Sequence, residues 1–287
     1  MPTWLQLSFK APPEALDTVS NFLIERGSPG VVIEKNGVRA FFPLAEARGN
    51  LRRDIQNFHR ALGHIYPSLN GQPLRWAPLK DRNWNNSWRR FFAPIEVGRS
   101  LWIAPPWVRR SPPPGRQAIT VEPGMAFGTG THFTTRTCLE FIERVAASLA
   151  PRRWIALDLG TGSGILAIAL AKLKAQKVLA LDLDPLAVKT ARDNVRRNRV
   201  SDFVTVRRAG LESVSGSFDV VAANLTAETL IALAQRLARA VAPGGSLIVS
   251  GILRPKTKSV LGKFPDMRLA HQKADREWST LLLQKET

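Results

Sequence analysis

Two kinds of hydrophobic pattern alternate along the second part of the chain. Short runs of apolar residues are separated by longer segments in which apolar residues recur every three or four positions. The runs are typical of buried strands, and the longer segments are typical of amphipathic helices. This alternation predicts an α/β fold with a doubly wound, Rossmann-like parallel sheet for residues 116–287. The predicted strands are 154–158, 178–182, 203–206, 218–223 and 246–250, with a closing antiparallel pair at 267–270 and 278–283.

The first 65 residues follow a different order. Apolar positions with helical spacing alternate there with runs typical of strands, and a Lys-Asn-Gly sequence provides a hairpin turn. This order predicts a small α+β, ferredoxin-like domain over residues 1–65. Its predicted elements are a strand at 4–9, a helix from about residue 13, a hairpin at 31–42 and a second helix at 51–63.

Residues 66–115 are rich in proline and tryptophan, and we interpret them as a linker and the start of the second domain. They contain five of the eight tryptophans, with arginines among them. Basic and aromatic side chains together can stack nucleobases. The interpretation we favour is that these rings pack the linker and an edge strand at 100–103 against the next domain. The side chains concerned are Trp76, Trp84, Trp88, Trp102, Trp107, Arg82, Arg89 and Arg90.

Composition narrows the classes of protein. The chain is 44% hydrophobic and 22% charged, which is typical of a folded globular protein. We expect no transmembrane helix and no signal peptide, because long apolar runs and the basic-then-apolar start are missing. The single cysteine, Cys138, excludes an intramolecular disulfide and a thiolate cluster for zinc, so we expect no metal site. These features favour the cytoplasm.

The net charge of +18 is the least specific feature of the composition. It comes from 41 Lys and Arg against 23 Asp and Glu. Such a charge attracts polyanions, including nucleic acid or an RNA-rich assembly. A solvated, arginine-rich surface without a polyanionic partner explains it equally well. The charge therefore names no partner by itself.

The strongest local motif is the turn Asp-Leu-Gly-Thr-Gly-Ser-Gly between a predicted strand and a predicted helix. Gly160, Gly162 and Gly164 allow the backbone to turn tightly and a ligand to approach it closely. A dinucleotide fingerprint requires glycine at position 165, where the chain has Ile165. The spacing is instead G-x-G-x-G, preceded by Asp158.

Asp182 ends the next predicted strand. A carboxylate at that place can accept hydrogen bonds from both hydroxyls of a ribose. Neutral glycines beside a carboxylate suit a nucleoside that carries no phosphates. The alternative is that Asp182 caps the helix that begins at Pro185.

Asn224 follows the strand 218–223, at the edge of the sheet where α/β folds bind ligands. Its amide oxygen can accept a hydrogen bond from an amine. As an isolated residue it is equally typical of a turn.

A loop rich in glycine and threonine precedes the predicted helix 136–149, and it has the composition of a mobile polar lid. Thr135 is a candidate cap for that helix. A histidine in the loop is a candidate base, although an isolated histidine is more often a hydrogen-bonded loop residue. The lid comprises Phe127, Gly128, Thr129, Gly130, Thr131 and His132.

Together these motifs resemble one family. The segment Glu122-Pro-Gly-Met-Ala-Phe-Gly-Thr-Gly-Thr-His132 resembles the signature of the ribosomal protein L11 methyltransferase (PrmA) family, a class I methyltransferase family. The glycine turn and the tryptophan-rich segment fit as well. So do the sequences Leu-Asp-Leu-Asp-Pro at 181–185, Ala-Asn-Leu-Thr-Ala at 223–227 and Pro-Gly-Gly at 243–245.

The resemblance implies an enzyme that transfers methyl groups from S-adenosyl-L-methionine to lysine side chains and the N-terminal amine of a large-subunit ribosomal protein. The small N-terminal domain would then recognise the substrate. Thr135, Gly160, Asp182 and Asn224 match the cofactor-binding positions of the family, and Asn224 would position the acceptor amine. The chain departs from the family pattern at Glu122, Phe133, Thr161 and Leu225-Thr226.

Two other functions are compatible with the same residues. One is an RNA methyltransferase, although no aromatic residue for stacking a base follows Asn224. The other is a catalytically silent RNA-binding or assembly factor on the same fold. For the enzyme we expect a monomer that has no membrane partner and works in proximity to ribosomal RNA.

Overall fold

The computed structural model of the 287-residue chain describes residues 2–44, 50–80, 93–122 and 132–286. The chain forms two compact units. The first contains the described residues up to position 93, and the second contains those from position 94 onward. Within the described residues, no helix is both long enough and apolar enough to cross a membrane.

The N-terminal unit is a four-stranded antiparallel sheet with two helices. The sheet has the order β2-β3-β1-β4, and the elements follow one another as βαββαβ, the ferredoxin-like order. One face of the sheet forms an apolar core with the helices, as in Leu7, Leu23 and Ile55. Strand β4 belongs to this unit although it lies beyond residue 65. The elements are β1 (Pro2–Lys10), α1 (Leu16–Glu25), β2 (Val31–Glu34), β3 (Gly37–Pro43), α2 (Asn50–Ile65) and β4 (Arg75–Lys80).

The second unit begins with a three-stranded sheet, formed by β5 (Ile95–Val97), β6 (Leu101–Ala104) and β7 (Gln117–Thr120). Strand β6 lies between the other two, antiparallel to β5 and parallel to β7. The prediction of an edge strand at 100–103 was therefore wrong, because partner strands before and after it in the sequence pair with both of its sides. Trp102 on β6 is buried, as the packing interpretation requires. For Trp76 the interpretation was wrong, because this residue lies on β4 and packs against the core of the N-terminal unit. Trp84, Trp88, Arg82, Arg89 and Arg90 lie outside the described residues.

The remainder of the second unit is a seven-stranded sheet with the order β10-β9-β8-β11-β12-β14-β13. The first five strands are parallel, and β14 is antiparallel to β12 and β13. The predicted doubly wound sheet and its closing antiparallel pair are confirmed. The elements are α3 (Phe133–Leu149), β8 (Ile155–Leu159), α4 (Ile165–Lys172), β9 (Lys177–Asp182), α5 (Pro185–Arg197), β10 (Val204–Arg208), β11 (Phe218–Asn224), α6 (Ala227–Ala240), β12 (Val241–Leu253), α7 (Thr257–Leu261), β13 (Met267–Ala274) and β14 (Trp278–Lys285).

Alternating residues of the central strands enter two apolar cores, one on each face of the large sheet. On β8, for example, Ala156 belongs to the core that includes α3, α4 and α5, and Leu157 to the core that includes α6. The order of the parallel strands reverses between β8 and β11. In open α/β sheets ligands bind at the carboxyl ends of the strands beside such a reversal. Asp158, Asp182 and Asn224 lie at these ends.

Candidate active site

The turn between β8 and α4 has a backbone conformation that glycine adopts most easily. Gly160, Gly162 and Gly164 have φ angles of 70°, 54° and 82°, in the left-handed region. The N–H group of Gly160 donates a hydrogen bond of 2.8 Å to the carbonyl of Leu181 on β9. A Cβ atom at Gly160 would lie 2.4 Å from Cδ2 of Leu225. The backbone angles therefore account for all three glycines, and close packing is a second reason for glycine at position 160.

Asp158 is fully buried at the carboxyl end of β8. Burial raises the pKa of its carboxyl group to about 6, although hydrogen bonds from Thr161 and Ala167 act in the opposite direction. These bonds reach Oδ2, from the hydroxyl of Thr161 at 2.6 Å and the N–H group of Ala167 at 3.1 Å. Oδ1 is buried without a hydrogen-bond partner. One oxygen of this carboxyl group thus remains available to a ligand.

Asp182 connects the end of β9 to the glycine turn. Its Oδ2 accepts a hydrogen bond from the N–H group of Gly162 at 2.9 Å, and its Oδ1 accepts one from the N–H group of Asp184 at 3.0 Å. The cap of α5 is Asp184, whose Oδ1 accepts a hydrogen bond from the N–H group of Leu186 at 2.8 Å. The capping alternative for Asp182 is therefore wrong, because its backbone contacts hold it beside the turn. Each of its oxygens retains lone-pair capacity for a further donor.

Asn224 is the last residue of β11. Its amide Nδ2 donates a hydrogen bond of 3.4 Å to Oγ1 of Thr134. Its Oδ1 is buried and has no hydrogen-bond partner. Buried polar atoms without a partner are rare in native proteins, and a catalytic role is one of the explanations for them.

Helix α3 begins at Phe133 and is capped by His132, whose side chain accepts a hydrogen bond from the N–H group of Thr134. The prediction that Thr135 caps a helix starting at residue 136 was therefore wrong. The helix starts three residues earlier, which places Thr135 in its first turn. Thr135 is nearly completely buried, and its Oγ1 has no hydrogen-bond partner. It joins Asp158 and Asn224 as a third residue with an oxygen available to a ligand.

His132 also contacts a residue that sequence reasoning missed. Its ring packs edge to face against Trp278, with ring centroids 5.4 Å apart and an interplanar angle of 71°. Trp278 begins β14 and pairs with Leu253 at the end of β12. It lies at this edge of the sheet because β14 runs antiparallel to its neighbours. The other predicted lid residues, Phe127, Gly128, Thr129, Gly130 and Thr131, lie outside the described residues.

Cys138 is not a candidate nucleophile. It is fully buried on α3, and burial raises the pKa of its thiol to about 12. Its side chain is hydrogen-bonded to that of Ser250, which in turn bonds to the hydroxyl of Thr280 at 2.6 Å. Among the residues that the structure describes, no group of three or more His, Cys, Asp and Glu side chains could hold a metal ion.

The described groups fit a nucleoside cofactor without phosphates. The glycine turn carries no basic side chain for a phosphate, a carboxylate lies at the end of β9, and buried oxygens without partners occur on β8, β11 and the first turn of α3. The fold and site define a class I methyltransferase, and the cofactor of this class is S-adenosyl-L-methionine.

Comparison with known proteins identifies the family. Residues 3–286 match the family model described as ribosomal protein L11 methyltransferase (PrmA), and the chain belongs to this family. A relative from Citrifermentans bemidjiense, named ribosomal protein L11 methyltransferase, is 36% identical and aligns over 98% of each chain. A relative of the same name from Geobacter sulfurreducens is 39% identical over 99% of this chain and 98% of its own. The crystal structure of a ribosomal protein L11 methylase from Lactobacillus delbrueckii subsp. bulgaricus matches with a TM-score of 0.62 and 30% identity, covering 68% of this chain and 100% of that one.

Proposed function

We propose that this enzyme transfers methyl groups from S-adenosyl-L-methionine to amino groups of ribosomal protein L11, namely lysine side chains and the N-terminal amine. The names of the relatives support the substrate. The observation that carries the proposal is the buried Oδ1 of Asn224, an acceptor without a partner at the end of β11. An amine nitrogen provides the N–H group that such an oxygen lacks.

The residues at the ends of β8 and β9 suit the cofactor. Asp182 would accept hydrogen bonds from the ribose hydroxyls, in addition to the two it already receives from backbone N–H groups. The turn from Gly160 to Gly164 would let the backbone approach the ligand closely. The free oxygens of Asp158 and Thr135 would accept hydrogen bonds from its remaining donors. When bound, S-adenosyl-L-methionine supplies a methyl group that its sulfonium centre already activates.

Because the methyl group is already activated, the residues that bind the acceptor amine mainly have to align it with that methyl group. A lysine amine has an ordinary pKa of about 10.4, so it must lose a proton before its lone pair can attack. Desolvation in the crevice favours the neutral amine. Asn224 Oδ1 would accept one N–H hydrogen, which leaves the lone pair directed away from the asparagine. Holding reactants in one orientation provides much of the rate acceleration in such a transfer.

The remaining assignments follow from the same proposal. We assign substrate recognition to the N-terminal unit, as the family resemblance implies. We place the reaction in the cytoplasm, where ribosomal proteins meet ribosomal RNA. The basic charge of the chain would then act on encounters with RNA beside the substrate, because a positive surface does not attract a basic ribosomal protein.

The test is a transfer assay with radiolabelled S-adenosyl-L-methionine. Unmethylated L11, L11 with chemically acetylated amines, and ribosomal RNA free of protein are each incubated with the enzyme. We expect label in unmethylated L11 alone. Label in RNA alone would instead establish the RNA methyltransferase. If no substrate is labelled although calorimetry shows cofactor binding, the proposed substrate is wrong.

A further inference from the structure

The two ends of an asparagine amide have nearly the same shape, so the orientation of Asn224 depends on its hydrogen bonds. With Oδ1 toward the crevice, the side chain accepts a hydrogen from an amine. With Nδ2 toward the crevice, it presents a donor to a nitrogen that must keep its lone pair free for the methyl group. The proposed function therefore requires that one orientation be fixed.

Thr134 supplies the contact that distinguishes the two orientations. This residue is fully buried in the first turn of α3, and its Oγ1 lies 3.4 Å from Nδ2 of Asn224. A hydroxyl group can either donate or accept, so this contact alone does not select the amide nitrogen. The selection depends on where the hydroxyl hydrogen of Thr134 points.

His132 determines the direction of that hydrogen. We assign the tautomer of His132 that carries its hydrogen on Nε2, because the backbone N–H group of Thr134 donates to Nδ1 at 3.3 Å. In this tautomer Nδ1 carries no hydrogen. Oγ1 of Thr134 lies 2.7 Å from the same Nδ1, and the hydroxyl is the group that must donate there. Oγ1 then offers only lone pairs to Asn224, and a lone pair pairs with the amide N–H rather than with the amide oxygen.

The surrounding structure holds this arrangement in place. His132 caps α3 and packs against Trp278 at the start of β14. On the other side, the N–H group of Leu225 donates to the carbonyl of Ser250 at 3.0 Å, which ties the end of β11 to β12. The donor and the acceptor of the 3.4 Å contact thus stand on separately anchored elements.

We propose that Thr134 is a positioning residue that directs Oδ1 of Asn224 toward the acceptor amine, and that His132 polarises its hydroxyl for this purpose. This inference rests on the proposed function, since it assigns the geometry of the same transfer. His132 acts in it as a hydrogen-bond acceptor for Thr134, a role that uses Nδ1 for orientation instead of for proton abstraction.

The experiment compares Thr134→Val, Thr134→Ala and Thr134→Ser with the wild-type enzyme. Valine keeps the size of threonine without its hydroxyl, alanine removes the hydroxyl without adding bulk, and serine keeps the hydroxyl. The matched control is Thr137→Val, a buried threonine on α3 whose hydroxyl bonds to the carbonyl of Phe133 within the helix. For each variant we measure kcat and KM with L11, the Kd of S-adenosyl-L-methionine by calorimetry, and the melting temperature.

We expect kcat to fall about 10- to 100-fold in both the valine and the alanine variant, the range that small misalignments cost. The Kd of the cofactor should stay within about threefold of wild type, because Thr134 acts on the acceptor side. The serine variant and Thr137→Val should keep kcat within about threefold of wild type.

To test whether Thr134 acts through Asn224, the Thr134→Val substitution is also made in the Asn224→Asp variant. In Asn224→Asp either orientation presents an oxygen, so adding Thr134→Val should lower kcat by less than about threefold if orientation is what Thr134 controls. The inference is wrong if Thr134→Val lowers kcat equally in the wild-type enzyme and in Asn224→Asp. It is also wrong if Thr134→Val keeps the kcat of the wild type, or if Thr137→Val lowers kcat as much as Thr134→Val does. If the wild-type enzyme itself fails to methylate L11, the proposed function fails instead.

Discussion

The two halves of the crevice are constructed in different ways. At the ends of β8 and β9, backbone groups set the geometry: three glycines with left-handed φ angles, and a carboxylate held by two N–H groups. At the end of β11, side chains from α3, β11 and β14 set it, through Thr134, Asn224 and the ring pair of His132 and Trp278. Binding and alignment should therefore respond to different substitutions.

The largest expected effect separates the two halves directly. Asn224→Ala removes the acceptor oxygen, and we expect kcat for L11 to fall at least about 100-fold. The Kd of S-adenosyl-L-methionine should rise much less, since the half at β8 and β9 is unchanged. Transfer assays and calorimetry on the same preparation provide both numbers. Undiminished transfer would remove Asn224 from the mechanism, and a parallel loss of cofactor binding would remove the distinction between the halves.

The next effect concerns the buried carboxyl group of Asp158. Burial raises its pKa from 3.8 to about 6. The stability that the neutral form contributes is therefore fully present below about pH 4 and is lost as the pH rises through 6, which corresponds to up to about 3 kcal/mol. Asp158→Asn stays neutral at every pH.

We therefore expect the stability of Asp158→Asn relative to wild type to increase between pH 4 and pH 7.5. Urea unfolding of the two proteins without cofactor at several pH values provides the measurement, and other titrating groups largely cancel in the difference. A difference in unfolding free energy that does not change with pH would show that Asp158 does not titrate as described.

A smaller effect tests the close packing of the glycine turn. Gly160→Ala places a methyl group 2.4 Å from Leu225 at a φ of 70°. Gly216 has a φ of 87° with nothing within 4 Å of an added Cβ, so Gly216→Ala imposes the backbone strain alone. Because the atom that the methyl group meets is the end of a flexible leucine side chain, we expect Gly160→Ala to lose only about 1 to 2 kcal/mol more than Gly216→Ala in urea unfolding. Equal losses would mean that Leu225 moves aside without cost.

The smallest effect concerns the hydrogen bond from Thr161 to Asp158. Thr161→Val removes a donor that lowers the pKa of Asp158. We expect a loss of about 1 kcal/mol of stability at pH 7.5 and a smaller loss at pH 4, where the carboxyl group is neutral. Thr161→Ser retains the hydroxyl and is the control. A loss that is larger at pH 4 would contradict this account.

The sequence predicted the parts of the site that local patterns encode. Short runs of apolar residues located the strands. The spacing of the glycines located the turn, because three nearby residues with left-handed backbones require a short motif of glycines. Asp182 and Asn224 were found because each directly follows a predicted strand. For these residues, position along the chain determines position in the sheet.

The contacts that link distant segments were not predictable from such patterns. The roles of Thr134 and Trp278 depend on a helix that starts earlier than expected and on a strand that runs antiparallel. In the sequence, the start of α3 is marked only by a run of threonines, and β14 is visible only as an apolar strand. Neither pattern indicates where the helix begins or in which direction the strand runs. Thr135 is a plausible cap for a helix that begins at residue 136, because threonine is a common cap. In the structure His132 caps α3 instead, and its ring contacts Trp278 from a distant strand.

The direction of β14 also has a consequence for the order of assembly. Strands β8 and β9, with the glycine turn between them, precede Trp278 in the chain by more than ninety residues. As synthesis proceeds from the N-terminus, the glycine turn and Asp182 are made before the ring that supports His132. The contact between Trp278 and His132 therefore forms only after β14 has been made and has inserted between β12 and β13, so the alignment of the acceptor site is among the last features of the fold to be completed.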